Sequence, residues 1–261
     1  MKVQGEVISA VHPALLSLVG LITVTEYIFV YVSSSLGIIL CLGSALAIYG
    51  LLSALDLSEA LTDVLENVSL LFIYTMLISS LPWFFFKQSL MVPAVYSLVL
   101  ALCSWRIHSR KLSLEYLGLV WKNLRNNSLT GLVLGIPTGV LEYVILRPLP
   151  ATPAFNYRYF IQTAVYMFLF VALGEELLFR ALIQNSTVKL VGALPGIFWS
   201  AVIFAVMHTV WRSVSEIFFT FGAGLLLGVL YHKTDSLVGP ILLHGVNNVL
   251  LLAVMPYLVW I

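Results

Sequence analysis

Charge is what this chain lacks. Of its 261 residues only 10% are charged, where an ordinary soluble domain carries roughly 25%. The net charge is +1, and no basic run is long enough for nucleic acid, so a nucleic-acid-binding role is excluded. Cysteine is nearly missing too. Cys41 and Cys103 lie in or beside apolar runs without metal-ligand spacing, and read as small buried hydrophobes rather than a disulfide. There is no low-complexity tract, no soluble module and no internal repeat. Residues 1–13 carry Lys2 and Glu6 but no small-residue cleavage site ahead of the apolar run, which suits a membrane-surface segment better than a removable signal peptide. Apolar side chains fill the space: 61% of residues are hydrophobic, with a mean hydropathy of +1.02. A soluble fold of this length would leave roughly a quarter of its unfolded-chain area exposed and could not hide that much apolar surface. A soluble enzyme and a disordered chain are excluded with it. The solvent for this protein is lipid.

A span needs about 20 apolar residues. Runs of that kind fall near residues 12–32, 35–55, 67–86, 129–147, 158–184, 192–210, 215–232 and 237–260, with a shorter run at 90–105 that either spans or re-enters. The expectation is an all-α, polytopic transmembrane bundle of eight or nine spans with a polar catalytic cavity between helices. Such a chain is an integral, multi-pass protein, of the cell membrane if its source is prokaryotic, with membrane lipid as its surroundings. Asp56, Ser58, Glu59, Asp63 and Glu66 read as an acidic connection. Arg106 to Asn127 mixes five of the thirteen Lys and Arg with Leu112, Leu114, Tyr116, Leu117, Leu119, Val120 and Trp121, as an interfacial amphipathic helix would. With nine spans, the face carrying Lys2, Arg106, Arg110, Lys111, Lys122, Arg125, Lys189 and Lys233 outnumbers the face carrying Lys87, Arg147, Arg158 and Arg212 by eight to four. The positive-inside rule then puts the N-terminus inside and the C-terminus outside.

Ionisable groups within spans are expensive and are functional candidates by default. Glu26 and Glu142 each stand alone and read as structural, snorkelling, pairing across helices or staying protonated. His12, His108 and His232 fall near membrane edges. Three later spans differ. One contains GEELLFR, with Glu175, Glu176 and Arg180; the next FAVMH, ending at His208; the last HGVNN, with His244, Asn247 and Asn248. Glu176 and Arg180 are four apart and can pair, which leaves Glu175, about 100° around the helix, for something else. His244 and Asn248 share a face in the same way. Phe204 shares one with His208 and reads as packing. Glu175 and His208 each lie about sixteen residues from the turn near residue 191, so roughly 24 Å along an antiparallel pair, and come level. His244 and Asn248 sit about 13 Å and 19 Å into the last helix, a mismatch that tilt or a kink at Gly245 would close. Gly222, Gly224 and Gly228 permit close backbone approach.

A carboxylate and an imidazole at one depth can hold and deprotonate a water. A second imidazole and an amide can donate to a developing oxyanion. No compelling Ser or Cys nucleophile lies near in sequence, so the chemistry suggested is attack of water on a carbonyl, such as that of a peptide bond. No cofactor is favoured. Zinc or another divalent metal is an open alternative: Glu175, His208 and His244 form a two-His, one-carboxylate set that fits catalytic zinc, although the spacing is not HExxH. Two other classes stand beside the enzyme: a non-catalytic scaffold using the polar cluster as helix glue, and a proton-coupled transporter.

Glu175-Glu176-Leu-Leu-Phe-Arg180 matches EExxxR, Phe204-Ala-Val-Met-His208 matches FxxxH and His244-Gly-Val-Asn-Asn248 matches HxxxN. Three motifs in this order, each within an apolar span, resemble the CPBP family of intramembrane proteases: the CAAX prenyl endoproteases and related bacteriocin-processing or immunity (Abi) proteins. The resemblance covers residues 127–261, a catalytic membrane core, and leaves 1–126 as accessory transmembrane helices with the amphipathic segment. It implies a glutamate-dependent endopeptidase in which Glu175 and His208 activate water, His244 and Asn248 stabilise the oxyanion, and Glu176 and Arg180 support the site. It implies a peptide or protein substrate at the membrane, lipidated or not. CAAX enzymes open towards the cytoplasm, whereas the depths above put Glu175 beyond the midplane from the predicted cytoplasmic face. For a non-catalytic immunity protein or scaffold, Glu175 would be replaceable.

Overall fold

A computed structural model describes residues 12–80, 87, 90–120 and 123–258. Among them no strand occurs, and nine helices follow one another. They are α1 (Pro13–Val32), α2 (Ser34–Ala54), α3 (Glu59–Ser80), α4 (Met91–Ser109), α5 (Leu124–Leu146), α6 (157–191), α7 (Ala193–Trp211), α8 (Val214–Thr234) and α9 (Val238–Leu258). Eight of these are long and apolar enough to cross a membrane. α6 is the ninth, 35 residues of continuous helix that carry the EExxxR motif. The short run near 90–105 forms α4, a helix of full spanning length. The membrane-surface segment expected at the N-terminus lies almost entirely outside the described residues.

Two expectations about boundaries fail. α3 begins at Glu59 rather than near 67, so Glu59, Asp63 and Glu66 belong to its first two turns instead of a connection. Carboxylates suit a helix N-terminus, where backbone N–H groups lack partners. The amphipathic helix expected after Arg106 does not form either: α4 ends at Ser109, and residues 110–120 run as turns. Gly118, at φ +70°, makes the reversal that lets its carbonyl accept from Leu237 N at 2.8 Å. Leu112 and Leu119 pack against the core and Leu117 is buried in it, while Leu114 and Tyr116 stay exposed. Trp121 lies outside the described residues.

Successive helices alternate in direction, so their ends gather at two faces. At one face, Arg106 meets Asp63 at 3.0 Å, Glu66 at 2.5 Å and the Asn67 amide oxygen at 2.8 Å. Arg110 bonds Glu66 there, and Lys189 bonds Glu59 at 2.8 Å. At the other face α7 ends at Trp211 and α8 begins, and Arg212 donates to the carbonyl of Val30 at 2.6 Å. Lipid-facing positions are apolar, as at Ile39, Leu46 and Val133, while Thr25, Asn67, Thr163, Gln184 and Ser200 are buried. That inversion of the soluble pattern follows from a solvent that cannot hydrogen-bond.

The halves share one core, with Leu15, Cys41, Val68 and Cys103 packed alongside Leu177, Ile183 and Trp199. Both cysteines are free and buried. The close backbone approach is made mainly by α5, which the sequence reading had not singled out. A Cβ at Gly131, Gly135 or Gly139 would lie 2.4–2.8 Å from a carbonyl oxygen of α9. Gly224 and Gly228 are also tightly packed, but Gly222 faces open space. Gly245 admits the ring of Phe168 at a distance no side chain would allow.

Candidate active site

The four residues predicted to carry chemistry line one cavity of about 270 Å³: Glu175 from α6, His208 from α7, His244 and Asn248 from α9. Apolar walls come from Met167, Val171 and Leu251, and Trp211 stands at the rim.

Around Glu175 the α6 helix is not uniform. A single α-turn, Leu173–Glu176, sits between two wider π-helical stretches, Met167–Ala172 and Leu177–Gln184. Wider turns of this kind re-aim side chains and are frequent at functional sites. Glu175 and Glu176 diverge as the helical geometry requires. Glu176 is wholly buried and bonds Arg180 Nε at 2.9 Å. Both Arg180 Nη atoms lack hydrogen-bond partners among the described residues, and its guanidinium lies 4.7 Å from the centre of the Phe204 ring, a cation–π contact. Phe204 therefore packs, as expected, and also stacks on His208 at 4.6 Å between ring centres.

The two imidazoles are held differently. His208 Nδ1 is 2.8 Å from the carbonyl of Phe204. A carbonyl only accepts, so Nδ1 carries the proton and Nε2 keeps a lone pair when the ring is neutral. His208 does not lie in mid-helix; it opens the tight turn His208–Trp211 that ends α7. His244 Nδ1 is 2.8 Å from Glu176 Oε1. That carboxylate is ionised by its pairing with Arg180, so Nδ1 donates. His244 Nε2 is left facing Glu175 Oε2 at 3.8 Å, too far for a direct hydrogen bond. Glu175 Oε2 has no hydrogen-bond partner among the described residues.

A metal was left open by the sequence. Among the described residues no three His, Cys, Asp or Glu side chains gather as a metal site requires.

Three groups at the cavity went unnoticed in sequence or were read too simply. Tyr96 of α4 donates its hydroxyl to Glu175 Oε1 and lines the cavity. Nothing in its surroundings, PAVYSL, marks it. Glu142 pairs across helices, as expected of a lone carboxyl, with Asn247 Nδ2, but it also lines the cavity. The missed member is Glu216 of α8, which lies near Glu142. Ser213-x-x-Glu216 has the spacing of a helix-capping pair, and Ser213 does cap α8, accepting from Glu216 N at 3.2 Å. The Glu216 carboxyl is buried, and neither of its oxygens has a hydrogen-bond partner among the described residues. Glu26 bonds Thr75 at 2.8 Å, the structural role expected of it.

Residues 157–250 match the family model described as type II CAAX prenyl endopeptidase, Rce1-like. No curated protein and no solved structure matches the chain. The matched stretch holds all three motifs, and it is narrower than residues 127–261. Over this segment, less than half of the chain, the protein is similar to CAAX-type peptidases, which act on peptides or proteins. Its eight helices of spanning length make it an integral, multi-pass membrane protein.

Proposed function

We propose that this protein is a glutamate-dependent intramembrane endopeptidase. The observation that carries the reading is the convergence of Glu175, His208, His244 and Asn248, from three helices, on one cavity. A water would lie between Glu175 Oε2 and the imidazoles. Glu175 takes its proton as the oxygen attacks the scissile carbonyl carbon, with His208 Nε2 accepting the second hydrogen as a hydrogen bond. The carbonyl oxygen becomes an oxyanion, met by the Asn248 amide and by His244 Nε2–H. To donate there, His244 is an imidazolium, with Glu175 and Glu176 as counter-charges on either side. The intermediate collapses, the C–N bond breaks, and Glu175 returns its proton to the leaving amine. Glu176 and Arg180 hold His244 in register.

The reading is metal-free, supported by the side-chain arrangement: no three His, Cys, Asp or Glu among the described residues gather to hold an ion. Dialysis against a strong chelator is expected to leave cleavage unchanged; a lasting loss restored by zinc would overturn this. For the substrate, a quenched-fluorescence peptide with a CAAX tail, farnesylated or bare, tests the class. Cleavage by the wild type and its loss in Glu175→Ala and His208→Ala is the expected outcome. Full activity in either variant would sink the mechanism.

Orientation is a separate part of the proposal. The cavity lies towards the end of the bundle that holds His208, Trp211 and Arg212, the end with fewer Lys and Arg. The charge bias makes this the non-cytoplasmic end, opposite to the resemblance to cytoplasm-facing CAAX enzymes. Both native cysteines are buried, so Ala151→Cys offers a clean exposed probe. A membrane-impermeant maleimide is expected to label it in intact cells; labelling only after lysis would reverse the orientation.

A further inference from the structure

Glu175 is not held by its own motif. Its nearest polar partner is a tyrosine from the N-terminal half, outside the segment the family model matches. Tyr96 lies on α4, where its ring packs against α6 at Gly174, the residue before Glu175. A tyrosine hydroxyl has one proton to donate. A carboxylate accepts only, so the Tyr96 proton goes to Glu175 Oε1. The ring of Tyr74 from α3 lies beside that of Tyr96, with ring centres 6.3 Å apart. The Tyr96 bond occupies Oε1 and leaves Oε2 as the free oxygen, facing His244. A carboxylate with no such anchor could rotate about its last bonds and present either oxygen, or turn towards Arg180.

We propose that Tyr96 is the positioning residue for Glu175, so that α4 belongs to the catalytic unit and is not accessory. The inference rests on the protease reading above. A hydrogen bond to a charged group is worth about one to two factors of ten in an equilibrium or a rate. The test uses the full chain in proteoliposomes, with whichever of the farnesylated or bare CAAX peptides is cleaved. Tyr96→Phe keeps the ring and removes only the hydroxyl. It is expected to lower kcat about 10- to 100-fold with KM and melting temperature unmoved. A second readout needs no substrate: the Glu175 carboxyl infrared band, identified by its loss in Glu175→Gln, should shift in Tyr96→Phe. Wild-type kcat or an unshifted band in Tyr96→Phe would overturn the inference, as would a loss confined to KM or to melting temperature. An inactive Glu175→Gln beside a fully active Tyr96→Phe sinks this inference alone. A fully active Glu175→Gln sinks the protease reading and takes this inference with it.

Discussion

Two clusters of charge lie in this molecule, and they are composed differently. At the membrane edge three basic groups, Arg106, Arg110 and Lys189, meet three acids, Glu59, Asp63 and Glu66. Each charge has an opposite partner, and the cluster ties α3 to α4 and α6. At and behind the cavity, four carboxyls outnumber one guanidinium and two imidazoles: Glu142 and Glu175 line the wall, Glu176 is paired with Arg180 and His244, and Glu216 is buried near Glu142. Glue between helices needs balance, because an uncompensated buried charge is expensive. A surplus of carboxyls, with one oxygen of Glu175 and both of Glu216 lacking partners among the described residues, is what the proposed proton chemistry would use. On that proposal the edge cluster holds and the cavity cluster reacts.

That division can be broken, and the largest effect tests it most directly. Glu175→Gln keeps the shape of the side chain and removes its basicity. It should reduce kcat by about 10²–10⁴, the usual contribution of a positioned general base, while the unfolding midpoint in detergent stays put. Asn248→Ala should follow, with a loss of about 10²–10³ in kcat for one oxyanion donor and little change in KM. If Asn248 were glue, stability would fall and kcat per folded molecule would not.

Arg180→Met tests the one place where the cavity is built like the edge. It strands the Glu176 carboxylate, and a broken buried pair costs about 3–5 kcal/mol, read from denaturant unfolding. Adding Glu176→Gln should recover part of that stability but not the activity, since His244 loses its anchor. At the edge itself, Lys189→Ala should cost no more than about 1 kcal/mol, because the pair is exposed and screened. Its sign with pH is fixed. The hydrogen bond to Glu59 raises the Lys189 pKa above the ordinary lysine value. Its small contribution is therefore fully present below about pH 10, and is lost as pH rises through the raised value. High salt should weaken it at neutral pH. Turnover at neutral pH should be untouched by the substitution or by salt, so a Lys189→Ala variant with impaired kcat would erase the distinction between the clusters.

Much of this was legible in the residues alone. A chain in lipid has only helices or a closed barrel available, and continuous apolar runs of about 20 residues select helices and mark where they fall. Charges inside those runs are so few that EExxxR, FxxxH and HxxxN stand out against the apolar background. Helical spacing alone separates Glu175 from the Glu176–Arg180 pair. What it misjudged were places where length and period carry no information about partners. The 110–120 segment has the composition of an amphipathic helix, but it runs as turns around Gly118 that bring Leu112, Leu117 and Leu119 to the core and leave Leu114 and Tyr116 exposed. The acidic residues after Asp56 look like a loop, yet they open a helix because its N-terminus and Arg106 both favour them.

Only the tertiary structure decided who touches whom. Tyr96 comes to Glu175 across 79 residues, and Glu142 meets Asn247 across 105, because α4 packs on α6 at Gly174 and α5 on α9 along its glycines. Motif spacing records neighbours on one helix. Contacts between helices depend on packing angle and depth, which no local pattern encodes. By itself, the sequence determined that the chain lives in lipid, that it is helical, and which charges are out of place there. The fold decided that those charges share a cavity, and that the half of the chain without a motif supplies the group that holds the carboxylate still.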